Sequence, residues 1–258
     1  MRLLILLATL TMPLLVQAQE WRPAAWYEDL SEKDCEPMCQ DLRVAVIGDS
    51  LVSGKWFTEY FWDKFIRYAD YNFDLDYYEL APDVRNFARE SVGVSGLFEQ
   101  MWDALREFNP THVVMYGGVN DCMKPGHTPE KNAEYVIQLL EAMIYHVQEA
   151  GVHPVIVEHH PWQHSRVDPE GKGYECSTLV NEWIEGERLM PDGAWPVSTR
   201  ALGSCDHAYE TCACDDDTCV ERWQLDSRCD AGDGLHLSRI GQSILAEIIW
   251  GQVDWQCW

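Results

Sequence analysis

The residues RVAVIGDS, 43–50, join a short apolar run to a glycine and two polar side chains. Val44, Val46 and Ile47 are β-branched, and a run of this kind that ends at a glycine is typical of a strand buried on both faces of a parallel sheet. Reactive groups in an open parallel sheet gather where the strands end. The sequence therefore predicts an α/β fold in which Asp49 and Ser50 follow the first strand at the functional edge of the sheet.

Segments with strand and helix periodicity alternate along the rest of the chain. Apolar runs bounded by turn residues predict four further strands, at 75–80 or 83–88, 111–118, 153–162 and 195–199. Apolar residues at three- and four-residue intervals predict helices at 55–69, 96–108, 128–151 and 238–253. This alternation predicts a three-layer α/β/α fold, with a mostly parallel sheet of about five strands and helices on both of its faces.

The first 18 residues have the pattern of a secretory signal peptide. One arginine precedes an apolar stretch that reaches Val16, and Ala18 ends a small-residue cleavage pattern. A membrane anchor is the alternative, but Pro13 interrupts the segment and the apolar part is shorter than the roughly 20 residues that span a bilayer. We expect cleavage after Ala18 and a secreted mature chain, either extracellular or periplasmic.

Residues 19–258 are enough for one α/β domain with a complete core. Within it, we expect 19–42 to form a polar N-terminal strap and 161–230 to form a Cys-rich insertion held by disulfides rather than by its own core. The ten cysteines predict up to five disulfides in an oxidising compartment. Zinc is the alternative for the cysteines between 205 and 229, although their spacing lacks the paired C-x2-C of common zinc sites. The disulfide connectivity is left open.

The formal net charge of the chain is −24. A field of this sign repels nucleic acid and anionic membrane surfaces. We therefore expect no nucleic-acid partner. No stretch after residue 18 is long and apolar enough to predict a membrane span. The motifs described below, rather than the charge, lead us to expect a small molecule or a polysaccharide as the partner. The sequence leaves the oligomeric state open.

Three polar clusters have the composition that acyl transfer requires. They are Gly-Asp-Ser after the first strand, Gly-Gly-Val-Asn-Asp after the third and Asp-Gly-Leu-His-Leu-Ser before the last helix, at 48–50, 117–121 and 233–238. Together they supply a hydroxyl nucleophile, an imidazole base, a carboxylate that orients the imidazole and donors for an oxyanion. Asp233 and His236 are three residues apart, so the carboxylate can bond Nδ1 while Nε2 faces Ser50.

These clusters resemble the sequence blocks of the SGNH or GDSL hydrolases, a family of serine esterases and lipases with a flavodoxin-like three-layer fold. The matching stretches are GDS, SVGVSG, GVND and DGLH, at 48–50, 91–96, 118–121 and 233–236. The resemblance implies a catalytic triad of Ser50, His236 and Asp233. It also implies an oxyanion hole made by the N–H groups of Ser50 and Gly96 and the side-chain amide of Asn120. Gly93 is the alternative to Gly96.

The resemblance implies hydrolysis of a carboxylic ester through an acyl-enzyme, with no cofactor and no metal. An O-acetylated carbohydrate is the favoured substrate, because the chain is predicted to be exported and contains twelve tryptophans. A lipase, a thioesterase or an acyltransferase on the same fold is an alternative. A secreted binding module without turnover is a further alternative from a different class.

Four further side chains near predicted strand ends are candidates for contact with the substrate: Asp49, Trp56, His160 and Trp162. Asp49 is also expected to support its loop through hydrogen bonds. A metal site at His159, His160 and His164 is disfavoured, because adjacent residues of a strand point to opposite sides. The acidic run at 215–217 is interpreted as a solvated loop rather than a calcium site, because no spaced ligand loop accompanies it.

Overall fold

The protein's described residues form a five-stranded parallel sheet in the order β2-β1-β3-β4-β5, as seen in a computed structural model. The structure describes residues 42–53, 83–162, 168, 170–186, 194–203, 229–253 and 255. The strands are β1 (Arg43–Gly48), β2 (Asp83–Asn86), β3 (His112–Tyr116), β4 (His153–Val157) and β5 (Trp195–Val197). The helices are α1 (Val94–Phe108), α2 (Val119–Cys122), α3 (Pro129–Glu149), α4 (Lys172–Glu185) and α5 (Arg239–Gln252), and a 3-10 turn covers Arg200–Gly203.

The apolar runs of the central strands form the middle of the core. Every residue of β3 is buried, and so are residues 44–48 of β1. Helices α1 and α3 pack against each other, and they contact β1 and β4 respectively. Because the central strands have no solvent-facing side, their sequences are continuously apolar rather than alternating. The predicted α/β class with a five-stranded, mostly parallel sheet is confirmed.

One of the two segments predicted as the second strand forms a strand in the described part of the chain. Asp83–Asn86 is β2 and pairs with β1 in the register Arg43↔Asp83. The alternative segment at 75–80 and the predicted helix at 55–69 lie outside the described residues. Helices α3 and α5 begin where their sequences predict, because Thr128 and Ser238 accept hydrogen bonds from the backbone N–H groups of Lys131 and Gly241.

Helix α4 corrects the prediction for 161–230, which interprets this segment as held by disulfides rather than by its own core. The helix contributes four buried apolar residues to the core, Cys176, Val180, Trp183 and Ile184. Their spacing is helical, but the surrounding glycines and acidic residues obscure the pattern in the sequence. The strand predicted at 195–199 is present as β5. The Cys122–Cys176 disulfide joins α4 to α2, with the two Cα atoms 5.3 Å apart.

Several predictions concern residues that the structure leaves out. The signal peptide at 1–18, the strap apart from Leu42 and the acidic run at 215–217 lie outside the described residues. Among the described helices, none is both long and apolar enough to cross a membrane.

Candidate active site

The Gly48-Asp49-Ser50 turn is held from both sides by buried side chains. Gly48 N–H donates to Gln100 Oε1 at 2.8 Å, and Gln100 Nε2 donates back to Gly48 O at 3.0 Å. Asp49 accepts hydrogen bonds from Leu51 N–H at 3.0 Å and from Gly118 N–H at 3.3 Å. A side chain at Gly48 would collide with the backbone of Tyr116. The turn therefore places Ser50 at the end of β1 in a fixed orientation.

Ser50, His236 and Asp233 are connected by two hydrogen bonds. The distance from His236 Nε2 to Ser50 Oγ is 3.0 Å, and the distance from His236 Nδ1 to Asp233 Oδ2 is 2.6 Å. A carboxylate only accepts hydrogen bonds, so Nδ1 carries the proton and Nε2 is left to accept the Ser50 hydroxyl. The structure thus brings together three residues separated by up to 186 positions in the sequence.

The loop that carries His236 and Asp233 has its own internal hydrogen bonds. Asp233 Oδ1 accepts from Leu235 N–H at 2.9 Å and from His236 N–H at 2.8 Å. Asp230 Oδ1 accepts from the N–H groups of Gly232 and Gly234, each at 2.8 Å. Gly232 and Gly234 have φ values of 102° and 84°, which favour glycine over residues with side chains. These hydrogen bonds and glycine conformations therefore define the backbone conformation of the loop that precedes α5.

The two aspartates of the site differ in their electrostatic environment. Partial burial opposes ionisation of Asp233, but hydrogen bonds from the His236 and Leu235 backbone and from the His236 ring outweigh it and lower its pKa. Asp49 is buried, and the loss of solvation raises its pKa to about 6 despite its two backbone hydrogen bonds. Asp233, whose pKa is lowered, therefore stays ionised to lower pH than Asp49 does.

Asn120 lies in α2, which begins directly after the left-handed Gly118 (φ 108°). Its Nδ2 donates one hydrogen bond to Val92 O at 2.8 Å. A primary amide nitrogen carries two hydrogens, so the second remains for another acceptor. Among the described residues, the Asn120 side chain is therefore oriented by one hydrogen bond and retains one donor.

Gly96 does not occupy the position that the sequence resemblance implied. Helix α1 begins at Val94, two residues before the predicted start, and Gly96 N–H donates to Gly93 O at 2.8 Å within its first turn. An N–H that is used inside a helix cannot also bind an oxyanion. Gly93 ends the preceding segment, where a Cβ would lie 2.5 Å from Asp121 Oδ2. Asp121 in turn accepts from Val94 N–H at 2.5 Å, so Gly93 gives this carboxylate access to the helix end.

The side chains of Asp49, His160 and Trp162 are at most 3% exposed. Burial argues against a substrate contact for Asp49. His160 and Trp162 form part of the wall of the cavity described below, so a substrate contact for these two residues stays a prediction. Both oxygens of Asp49 bond to backbone, and both ring nitrogens of His160 have partners within the protein. The adjacent His159 points elsewhere and contacts Ser177 Oγ and Gly117 O. Trp56 lies outside the described residues. Within the described part of the chain, no group of three or more His, Cys, Asp or Glu side chains could hold a metal ion.

A cavity of about 370 Å³ lies beyond the end of β4 and is separate from Ser50 and His236. Glu158 forms part of its wall and accepts hydrogen bonds from Ser198 Oγ at 2.8 Å and Thr199 N–H at 3.0 Å. Burial, together with the neighbouring Glu185 carboxylate, raises the pKa of Glu158 to about 7. Glu185 itself is paired with Arg200. Glu158 is therefore protonated in the folded protein at pH values where an exposed glutamate is charged.

This raised pKa predicts an effect of Glu158→Gln on the pH dependence of stability. The folded protein binds the Glu158 proton more tightly than the unfolded chain does, so protonated Glu158 contributes to the free energy of unfolding. This contribution is complete below pH 4.5 and is lost as the pH rises through about 7. Glutamine cannot ionise, so the variant should gain stability relative to wild type across that window, by up to about 3 kcal/mol. Urea unfolding at pH 4.5, 6 and 8 measures the difference. A constant difference at all pH values would contradict the assignment.

The model of the GDSL-like lipase/acylhydrolase family matches residues 44–189, which include Ser50 and Asn120 but not the loop that carries His236. The chain is similar in structure to a lipase/acylhydrolase from Enterococcus faecalis, with 16% identity, a TM-score of 0.53 and coverage of 81% of this chain and 94% of that chain. It is similar to the psychrotrophic esterase EstA from Pseudoalteromonas sp., with 14% identity, a TM-score of 0.52 and coverage of 82% and 96%. It is also similar to TesA, with 17% identity, a TM-score of 0.55 and coverage of 82% and 98%. These structural similarities show a shared fold. No curated protein matches the sequence.

Proposed function

Because the chain belongs to the GDSL-like lipase/acylhydrolase family and is a hydrolase acting on ester bonds, we propose that Ser50, His236 and Asp233 are its catalytic triad. The observation that carries this proposal is the continuous hydrogen-bond path from Ser50 Oγ through His236 to Asp233, with distances of 3.0 and 2.6 Å. The nucleophile and base are within hydrogen-bond reach, and a third group orients the base.

The proposed reaction proceeds in two steps. Ser50 Oγ attacks the ester carbonyl while His236 Nε2 takes the hydroxyl proton, and the same proton then passes to the departing alcohol as the carbonyl–alcohol bond breaks. This leaves an acyl group on Ser50. Water, deprotonated by His236, attacks the acyl-enzyme and releases the acid, and the proton returns to Ser50. Asp233 stays ionised and stabilises the transient imidazolium.

The oxyanion hole is proposed to use the N–H of Ser50, the free hydrogen of Asn120 Nδ2 and a backbone N–H from the turn at 91–93. This turn replaces Gly96 as the source of the third donor. Two contacts support its placement: Arg89 N–H donates to Gly48 O at 3.1 Å, and Val92 O accepts from Asn120. Both bonds hold the segment beside the Ser50 turn and α2. Ser91, with a φ of 57°, lies in this segment and gives it a sharp turn.

The Asn120 assignment predicts a large loss of activity in Asn120→Ala. The loss of one preorganised donor typically lowers kcat by about 100-fold to 1,000-fold. KM should change little, because the interaction strengthens as charge develops on the carbonyl oxygen. Steady-state hydrolysis of p-nitrophenyl acetate measures both constants. A rise in KM with unchanged kcat would instead assign Asn120 to ground-state binding.

The acyl-enzyme can be tested by pre-steady-state kinetics. Mixing the protein with p-nitrophenyl acetate should give a burst of p-nitrophenol that approaches one equivalent per active chain if deacylation is slower than acylation. Adding hydroxylamine or methanol should change the steady-state rate by intercepting the acyl group. Formation of methyl acetate in proportion to the methanol concentration supports the acyl-enzyme. A complete absence of methyl acetate contradicts it.

We further propose that the protein is secreted and deacetylates carbohydrate. The signal-peptide pattern at 1–18 and the Cys122–Cys176 disulfide support an oxidising compartment. The net charge of −24 disfavours binding to anionic lipid surfaces and so favours a water-soluble substrate. Acetate release from acetylated xylan and pectin, compared with acid release from short triglycerides, tests the proposal. Faster triglyceride hydrolysis would identify a lipase instead.

A further inference from the structure

His160 forms a buried bridge between the sheet and the loop that carries His236 and Asp233. Its Nδ1 contacts Tyr116 Oη at the end of β3, and its Nε2 lies 2.7 Å from Leu235 O. Tyr116 and His160 are 0% and 3% exposed. These two buried side chains therefore connect the end of β3 and the segment that follows β4 to the loop that carries His236 and Asp233.

The partners fix the direction of both hydrogen bonds. A carbonyl oxygen only accepts, so His160 Nε2 carries the hydrogen that binds Leu235 O. Nδ1 of a neutral imidazole then accepts the Tyr116 hydroxyl hydrogen. Burial lowers the pKa of His160 to about 4 and raises the pKa of Tyr116, so both groups are neutral near pH 7. The bridge is a directed chain from Tyr116 to His160 to Leu235.

The Leu235–His236 peptide group links this chain to the triad. Its carbonyl accepts from His160, while its N–H donates to Asp233 Oδ1 at 2.8 Å. A peptide held at both ends cannot rotate without breaking one of these bonds, and hydrogen bonds in such a chain polarise and strengthen one another. The orientation of this peptide determines where both Asp233 and the His236 ring lie relative to Ser50.

We propose that His160 and Tyr116 are positioning residues, which fix the Leu235–His236 peptide and thereby hold Asp233 and His236 in register with Ser50. The inference rests on the proposed triad. It assigns to His160 a role in turnover in place of the substrate contact that its position at the strand end suggested. The polar atoms of both side chains are bonded within the protein, so the effect should fall on kcat and leave KM unchanged.

Three variants test the proposal with p-nitrophenyl acetate. His160→Leu removes the donor to Leu235 O and should lower kcat by about 100-fold, the size expected for a misplacement near 1 Å in an active site. His160→Gln retains an N–H at a similar distance from the backbone and should recover at least about tenfold of that loss. Tyr116→Phe removes the buried hydroxyl group that donates to His160 and should lower kcat by roughly three- to tenfold.

A spectroscopic measurement separates positioning from general stability. The His236 Nδ1 proton, which is bonded to Asp233, should give a low-field proton NMR signal in wild type that shifts or broadens in Tyr116→Phe. His112→Gln is the matched control, since His112 is equally buried but lies at the opposite end of β3. It should change the melting temperature while leaving kcat and the low-field signal unchanged.

The proposal is overturned if Tyr116→Phe and folded His160 variants keep the wild-type kcat and NMR signal, even with a lowered melting temperature. If His160→Leu does not fold, Tyr116→Phe alone decides, because it removes a single atom. The NMR signal reports on the Asp233–His236 bond without turnover. Failure of the proposed function would appear separately, as ester hydrolysis that does not depend on Ser50.

Discussion

Ser50→Ala should lower kcat for p-nitrophenyl acetate by roughly 10⁴- to 10⁶-fold, the range seen when the nucleophile of a serine hydrolase is removed. Alanine deletes the only atom of the triad that bonds to the substrate carbonyl. The rest of the turn should survive, because Gly48 and Asp49 are held by Gln100, Leu51 and Gly118 rather than by the Ser50 hydroxyl. The melting temperature should therefore change little.

Ser53→Ala is the matched control for this variant. Ser53 lies in the same turn, and its buried Oγ has no hydrogen-bond partner among the described residues. Replacing it with alanine should leave kcat within about threefold of wild type, since surrounding contacts are retained and no catalytic atom is lost. Equal activity of wild type and Ser50→Ala would remove Ser50 from the mechanism.

Asp233→Asn should lower kcat by about 10⁴-fold, as the corresponding change does in the Ser-His-Asp triad of serine proteases. An asparagine can still accept the backbone hydrogen bonds from Leu235 and His236 through its oxygen. Its NH₂ group would then face His236 Nδ1 and stabilise the tautomer with hydrogen on Nε2, which cannot accept the Ser50 proton. The variant therefore tests whether activity depends on the His236 tautomer rather than on the conformation of the loop.

Asp230→Asn provides the comparison within the same loop. In the part of the chain that the structure describes, the Asp230 side chain bonds the backbone N–H groups of Gly232 and Gly234 through Oδ1, and asparagine retains that acceptor. We expect a loss in kcat of no more than about threefold, measured beside Asp233→Asn under the same conditions. Similar losses in both variants would indicate that loop shape, and not the Asp233 charge, accounts for the effect.

The sequence predicted the parts of the site that depend on short-range pattern. The apolar run before Gly48 and the cap at Ser238 depend on local chemistry, so the strand, the turn and the start of α5 lie where expected. The spacing between Asp233 and His236 likewise allows their hydrogen bond within one loop. The contact of His236 with Ser50 required the fold and followed from the resemblance to a family.

The errors come from features with no local signal. Helix α1 begins after Gly93, which makes no side-chain cap, so nothing in the sequence marks its true start and the predicted start at Gly96 is two residues late. Helix α4 was missed because glycines and acidic residues surround its apolar positions. His160 follows a strand as a cleft residue would, and only the packed structure shows that Tyr116 and Leu235 occupy its ring nitrogens.

The most direct test of the central claim is the site of covalent labelling by a fluorophosphonate. EstA from Pseudoalteromonas sp. has been crystallised in a form inhibited by monoethylphosphonate, and the same chemistry applies to any activated serine. Peptide mass spectrometry of the inactivated protein should locate one phosphonyl group per chain on Ser50, with fluoride released and activity lost in parallel. Loss of activity with the label on another residue, or hydrolysis that persists after Ser50 is fully labelled, would contradict the account.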